Sequence, residues 1–453
     1  MKTTDVLIIG GSAAGMVTAL TGKSYYPDKK FILVKKQKDV MIPCGIPYIF
    51  GTLESIEKNL MPVDAMMQKN GIESLVDEAT EIKTTDKVVM FTSGEKIRYE
   101  KLVIATGSIP VKPKWLPGTD LDNVFEIHKD RDYLDEMKTK LRDTKNIAVI
   151  GAGFIGVEFS DELAKKGFNV TLIEKLPHIL NLSFDVELSD RIHDILINRG
   201  IKIMTGFGIR KIIGNEKVEA IELEDGQKLE MDAVILSMGY KPNSELAKKS
   251  DIYTDEDNFI AVDEYMRTHV KDVFAVGDCA QKRDFVTRRR TPTMLASTAC
   301  AEARIAGMNL FNINVVKTFS GTIAIYSTAI GNTGFGTAGV TEQRAIQEGL
   351  VTASAIYEGV DRHPGNLPNS NKQIVKLIAA QNSGVIIGGE VIGSFEAGEL
   401  TNVIGLAIQN RMSVNSFLSI QIGTHPCLTA SPAAYPLVKA AELIAIKMLD
   451  KDG

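Results

Sequence analysis

The sequence predicts an α/β protein with two Rossmann-like dinucleotide-binding domains and a C-terminal α+β domain. Three observations carry this. The apolar run DVLIIG at 5–10 ends in glycine, continues through small residues and enters a helical pattern from Ala14. NIAVIGAGFIGVEFS at 146–160 repeats that strand, tight turn and helix. From about Phe319 the pattern changes to alternating strands and then to amphipathic helices.

The remaining elements follow in order. Residues 76–104 read as short strands between turn residues, and LVIATGS at 102–108 brings the chain back to the first unit. The proline-rich VKPKWLPG at 111–118 marks a crossing into the second unit, where VTLIEK at 170–175 is the next strand. VILSMGYKPN at 234–243 ends that unit, a second crossing falls near 244–262, and DVFAVGDCA at 272–280 returns to the first domain. GTIAIYST, QIVKLIAA and GVIIGGEVIG, with amphipathic stretches at 396–410 and 433–449, make up the last domain. The boundaries implied are 1–113 and 246–318 for a discontinuous first domain, 114–245 for the second and 319–453 for the third.

A chain of 453 residues, 44% hydrophobic, can bury two or three separate cores, which excludes a small binding module. Acidic and basic residues are interleaved around a net charge of -5, so no large basic surface is available to nucleic acid or an anionic membrane. Small molecules are the expected partners. Met1 leads straight into an apolar strand and no charge-free apolar run reaches about 18 residues, so a cytoplasmic location is expected. Cys44, Cys279, Cys300 and Cys427 are far apart and show neither a CxxC pair nor a metal-ligand spacing, so no disulfide framework and no metal site is expected. Cys279, Cys300 and Cys427 read as small buried hydrophobes.

In the second unit Gly151, Gly153 and Gly156 match GxGxxG, which aims a helix amino terminus at a pyrophosphate. Glu174, closing the next strand, can accept both ribose hydroxyls and would repel a 2′-phosphate, so NADH is expected over NADPH; Lys175 softens that preference. The first unit has Gly10, Gly11 and Gly15, but Ser12 stands at the middle glycine, with Ala13 and Ala14 beside it. Its second strand ends in Lys35 and Lys36, which cannot accept from a ribose, so adenosine contacts there would use backbone atoms. Ala105, Thr106 and Gly107, with Gly277 and Asp278 later, complete an FAD signal in which Asp278 can bond a ribityl hydroxyl or approach a flavin phosphate. Pro43, Ala79, Phe154, Ile155, Glu158, Gly239, Leu295 and Ala296 fill out the expected cofactor-binding set.

The two nucleotide units, ATGS, the later GD motif and the terminal α+β domain together resemble the pyridine nucleotide-disulfide oxidoreductases over essentially the whole chain. Typical two-cysteine members hold a pair four residues apart; here only Cys44 is present, in IPCGIPY. This is similar to the single-cysteine branch, which includes coenzyme A disulfide reductases, NADH-dependent polysulfide or persulfide reductases, and NADH oxidases and peroxidases. The resemblance implies hydride transfer from nicotinamide to flavin and onward reduction of a mixed disulfide or sulfenate on Cys44. Cys44, followed by Gly45, is expected to open a helix whose dipole depresses the thiol pKa.

Within that branch, peroxidases and water-forming oxidases carry a histidine in the first glycine turn, where this sequence has Ala13. GGSAAGM is closer to the GGxAAGM of coenzyme A disulfide and sulfur reductases, which implies a thiol, disulfide or sulfur acceptor. Coenzyme A would then be substrate or an adduct on Cys44, with Lys23 as a candidate for its phosphate; reduction of dioxygen is the alternative. The resemblance also implies a homodimer, in which a proton donor of the terminal domain reaches the partner subunit's Cys44. His425 in THPCLT, Tyr435 in AAYPL and His363 in DRHPGN are the candidates.

Overall fold

The structure, a computed structural model, describes residues 1–449; the end of the expected last domain, 450–453, lies outside the described residues. Its first sheet runs in the order Glu73–Val76, Phe31–Lys35, Lys2–Ile9, Lys96–Ile104, Val88–Phe91, Ala79–Lys83. Val273–Ala275 joins it by parallel pairing to the far end of Lys96–Ile104, so this sheet is assembled from two distant stretches of chain. Val6, Leu7, Ile8 and Leu33 are fully buried, as a parallel sheet covered on both faces requires. One cover is the helix pair Ala13–Tyr25 and Ala296–Met308. These two approach closely: a Cβ on Gly307 would stand 3.0 Å from the Thr18 carbonyl oxygen.

The second sheet is all parallel, in the order Val124–Glu126, Ala233–Leu236, Asn146–Ile150, Asn169–Glu174, Lys202–Thr205. Beside it lies the antiparallel flap Ile209–Gly214, Val218–Leu223, Lys228–Glu230. The two crossings between units lie side by side, because Ser108–Pro110 pairs antiparallel with Tyr240–Pro242.

The third sheet is antiparallel, in the order Tyr326–Ile330, Thr333–Gly339, Ile386–Gly393, Lys372–Ala380, Thr352–Val360, under the helices Ala397–Gln409 and Pro436–Leu449. Two details correct the sequence reading. GTIAIYST was expected as one strand, but only its end from Tyr326 joins this sheet. Thr322 bridges to Asp284 instead, and Ala324, between Thr322 and Tyr326, has positive φ. Thr333–Gly339 and Thr352–Val360 carry no clear strand signal in sequence. In the former, a Cβ on Gly336 would stand 1.9 Å from Thr401 Oγ1, so helix 397–409 rests directly on backbone and the usual β-branched pattern has no room.

The last sheet is locked to the second unit. Met41, Phe50, Phe159, Phe184, Phe335 and Ile392 share one apolar cluster. Above it the buried Lys376 ammonium lies 2.9 Å from Asp185, 3.1 Å from Glu342 and 3.3 Å from Glu187, and the buried Glu390 accepts the Asp185 amide at 2.9 Å.

Candidate redox site

The two glycine turns are shaped by close backbone approach. Gly10 has φ +120°, and a Cβ there would lie 2.1 Å from the Ala105 carbonyl oxygen. Gly277, at φ +79°, would put a Cβ 2.8 Å from that of Ala14. These contacts bring the three expected flavin segments, 10–15, 105–107 and 277–278, to one place. Ser12 is the N-cap of helix 13–25 but makes no side-chain cap, so the first-turn amides keep their donors free. Leu295 and Ala296 open the neighbouring helix 296–308 in the same way.

The lysines behave as their chemistry demands. Lys35 is buried, its ammonium bound to Asp64 at 2.9 Å and to the Lys38 carbonyl, while its stem lies against Gly11. Lys36 is exposed and pairs with Glu78 at 2.8 Å. Ala79 starts an edge strand opposite Phe91. Lys23 donates to the Pro27 and Lys29 carbonyls at 2.7 and 2.8 Å, which ties down the end of its helix.

In the second turn Gly151 has φ +99°, and a Cβ on Gly156 would lie 1.9 Å from its carbonyl oxygen; Gly153, the N-cap, faces open space. The Glu174 carboxylate crosses this turn and accepts the Ala152 amide at 2.7 Å and the Leu176 amide at 2.8 Å. Lys175 points to Glu224 at 3.1 Å. Phe154, first in the helix Phe154–Lys165 and followed by Ile155, stacks on Tyr326 with centroids 4.9 Å apart and planes 7° apart. One turn on, Glu158 accepts the Thr328 hydroxyl at 2.7 Å, and burial pushes its carboxyl up to about 7. Gly239, at φ +86°, accepts the Val111 amide at 3.0 Å in the crossing.

Cys44 sits where the two units face each other. The expected helix is absent: Pro43–Gly45 and Pro47–Phe50 are two short 3-10 turns, too short for an appreciable dipole. They are held by Asn59, which donates to the Ile42 carbonyl at 3.0 Å and leaves Gly45 no room for a side chain. The thiol pKa is not depressed either. Cys44 is exposed at the surface of the site, yet the protein around it partly desolvates the thiol. That desolvation and the negative charges of Glu158 and Asp278 together raise its pKa, and Lys129 only partly opposes them. The expectation failed because it counted a dipole that is not formed and missed an acid 114 positions away in sequence, at residue 158 against 44.

Lys129, Ser108, Tyr48 and Thr328 belong to this site and were not found by sequence reasoning. Lys129 donates to Ser108 Oγ at 2.8 Å and to Asp278 at 3.2 Å, over the Tyr240 ring at 5.0 Å. Burial alone would raise the Asp278 carboxyl, but Lys129 and the Ser108 hydroxyl, 2.7 Å away, hold it below its usual range. Tyr48, in the turn after Cys44, is pushed up to about 12 by burial and by Glu158.

The terminal-domain candidates gather on another surface. His363 Nδ1 lies 3.0 Å from the Thr429 carbonyl oxygen and its amide donates to Pro426 at 3.2 Å. That places it against the turn of His425, whose Nδ1 accepts the Cys427 amide at 3.2 Å. A cavity of about 720 Å³ opens beside His363, lined by Arg362, Tyr357, Lys372, Ser431 and Ala434 among others. Tyr435 is half-buried in the core of that domain, and burial raises its hydroxyl pKa. Cys279 is buried and Cys300 half-buried, but Cys427 is exposed, a correction: a short polar turn gives its thiol nothing to pack against. Among the described residues no group of histidine, cysteine or acid is placed to hold a metal, and no helix is long and apolar enough to cross a membrane.

Fold and site define an oxidoreductase that uses FAD and a pyridine nucleotide. The chain belongs to the pyridine nucleotide-disulphide oxidoreductase family, whose model matches residues 4–303, with the family's dimerisation domain at 325–434. It is 29% identical to an NADH oxidase of Methanocaldococcus jannaschii, over 98% of this chain and 99% of that one. It is 31% identical to the NAD(P)H coenzyme A polysulfide/persulfide reductase of Pyrococcus horikoshii, over 86% and 87%. Among solved structures, the NAD-dependent persulfide reductase of A. fulgidus superposes with a TM-score of 0.91 at 28% identity, covering 99% of this chain and 84% of that one.

Proposed function

We propose that the chain is an NAD(P)H-dependent reductase of a disulfide, persulfide or polysulfide, with coenzyme A disulfide as the type of substrate and Cys44 as its redox sulfur. The observation that carries it is the position of Cys44, influenced by Glu158 and Lys129 of the nicotinamide unit and by Asp278 of a flavin segment. The reductase relatives and Ala13 in the first glycine turn add support.

FAD fits the open first-turn amides at Ser12 and the free space at Gly107, and the nicotinamide dinucleotide fits the open turn at Gly153 with Glu174 beside it. When bound, FAD supplies the two-electron relay between nicotinamide and sulfur. The chain's own residues then do the following. The Gly10–Gly15 and Gly151–Gly156 turns bind the two pyrophosphates, and Glu174 selects an unphosphorylated ribose. The Cys44 thiolate attacks the acceptor RSSR, breaking its S–S bond; one thiolate RS⁻ leaves and takes up a proton, and Cys44 is left as a mixed disulfide. Two electrons from NAD(P)H and one further proton cleave that S–S bond, which restores the Cys44 thiolate and releases the second RSH. Lys129 supplies positive charge that favours that thiolate, and Glu158, titrating near 7, can hold a proton at the site.

Residues 1–113 with 246–318, 114–245 and 319–453 are assigned as flavin, nicotinamide and dimerisation domains of a cytoplasmic homodimer. In that dimer His425, His363 or Tyr435 delivers the leaving-group proton to the partner subunit's Cys44. A His425→Ala variant with unchanged turnover and pH profile removes it from this role.

Intact-mass measurement of the untreated protein, followed by rapid-mixing reoxidation with coenzyme A disulfide, polysulfide and persulfides, tests the proposal. A flavin that air reoxidises and none of these acceptors does overturns it. The second reading, an NADH oxidase using a Cys44 sulfenate, is favoured by the full-length relative from M. jannaschii and is recognised by oxygen uptake with NADH alone.

A further inference from the structure

Behind the Gly277 turn lies a buried ion pair that the proposed reaction does not use. Lys282 and Glu302 are both buried; Lys282 Nζ donates to the carbonyls of Gly277 and Ala280 at 2.8 Å each, and the Gly277 amide donates to Glu302 Oε2 at 2.7 Å. The pair therefore grips one residue, Gly277, through the two peptide groups that flank it. Between themselves the partners are poorly matched. Glu302 Oε1 is 3.7 Å from Lys282 Nζ, beyond hydrogen-bond reach, and has no hydrogen-bond partner. The gripped residue is the one that touches Ala14, in the first turn of the helix whose free amides face the dinucleotide site.

We propose that Lys282 and Glu302 form a proton-linked charge that sets how tightly this turn holds an anionic dinucleotide. With Glu302 ionised the pair is neutral; with Glu302 protonated the turn gains one positive charge, since the acid then left facing Lys282 is Asp278, which Lys129 already pairs. The inference rests on the reading of 10–15 and 277–278 as the FAD site. The charges acting on Glu302 are Lys282 and, beyond the gripped residue, Asp278, and the helix packed alongside turns only Ala14, Gly15, Thr18, Ala19 and Gly22 inward. Burial holds the Glu302 carboxyl at about 7, so the charge changes within the neutral range. A bound pyrophosphate favours the protonated form, and by linkage FAD then binds more tightly at lower pH.

The test is FAD binding to the deflavinated full-length protein between pH 6 and pH 9, followed by flavin fluorescence. Wild type is expected to bind about tenfold more tightly at pH 6 than at pH 9, the change that a one-unit rise in the Glu302 pKa produces. Glu302→Gln, neutral at every pH, is expected to keep the wild-type pH 6 affinity throughout. Lys282→Met is expected to bind about tenfold more weakly at pH 6 with a flat profile, and Lys282→Arg to restore the affinity. Glu158 titrates in the same range, so it is the flattening in Glu302→Gln that assigns the effect. A Glu302→Gln profile with the wild-type slope, or Lys282→Met as tight as wild type at pH 6, overturns the proposal. Should Lys282→Met not fold, the near-isosteric Glu302→Gln decides alone. Tight wild-type binding with no pH dependence sinks only the role of the pair, whereas no FAD uptake at any pH sinks the FAD reading itself.

Discussion

At the scale of single residues, Cys44 and Glu158 carry the sharpest expectations. Replacing Cys44 by serine should lower turnover with any sulfur acceptor by at least ~10³-fold while flavin absorbance is retained, since sulfur alone can form the mixed disulfide. Glu158 is an acid whose pKa in the folded chain is raised from 4.5 to about 7. Its contribution is fully present below about 4.5 and is lost as pH rises through 7, because the unfolded chain releases the proton more readily. Glu158→Gln should therefore be more stable than wild type at pH 8, by up to about 3 kcal/mol, and no different at pH 4; urea unfolding at the two pH values measures this. Cys44 was singled out in sequence because IPCGIPY, with Pro43, Gly45 and Pro47, resembles the cysteine segment of the single-cysteine branch. Lys129 and Thr328 were not, because ordinary polar residues acquire a role only when the fold brings them to Asp278 and Glu158.

At the scale of elements, the glycine turns were legible for a steric reason. Where a Cβ would sit 1.9 Å from a carbonyl oxygen, as at Gly156, no other residue fits without moving the backbone. Gly156→Ala should cost about 1–3 kcal/mol and weaken NADH binding, read from thermal unfolding and KM. Glu174→Ala should reduce the preference for NADH over NADPH, measured as the ratio of kcat/KM values, by about tenfold, a change of about 1.4 kcal/mol in discrimination. The strand Thr333–Gly339 escaped notice because its alternate glycines serve the helix above it and not the strand itself. The helix expected at Cys44 is the converse case: proline and glycine suited a helix start, but the turn is closed by Asn59, far along the chain.

At the scale of the whole molecule, one cation organises the polar part of the joint between the second unit and the last sheet, beside the apolar cluster they share. Lys376→Met would take the ion-pair partner from the buried Asp185, which keeps the amides of Glu342 and Gln343, and the facing cation from the buried Glu390, a loss of about 3–5 kcal/mol. In a chain of several domains this should show as an earlier first transition on heating, with the second unit separating from the terminal sheet before global unfolding. Sequence reasoning placed the three main units but neither the antiparallel flap 209–230 nor this joint, because the joint's acids and its lysine are scattered over 185–390 with no local pattern.

The pairing of Val273–Ala275 with Lys96–Ile104 also orders events during synthesis. The nicotinamide-side sheet, complete by Leu236, can leave the ribosome and close on itself while the older sheet still waits for its last strand. A nascent chain arrested before residue 273 should thus be protected from protease through 124–236, yet retain no flavin.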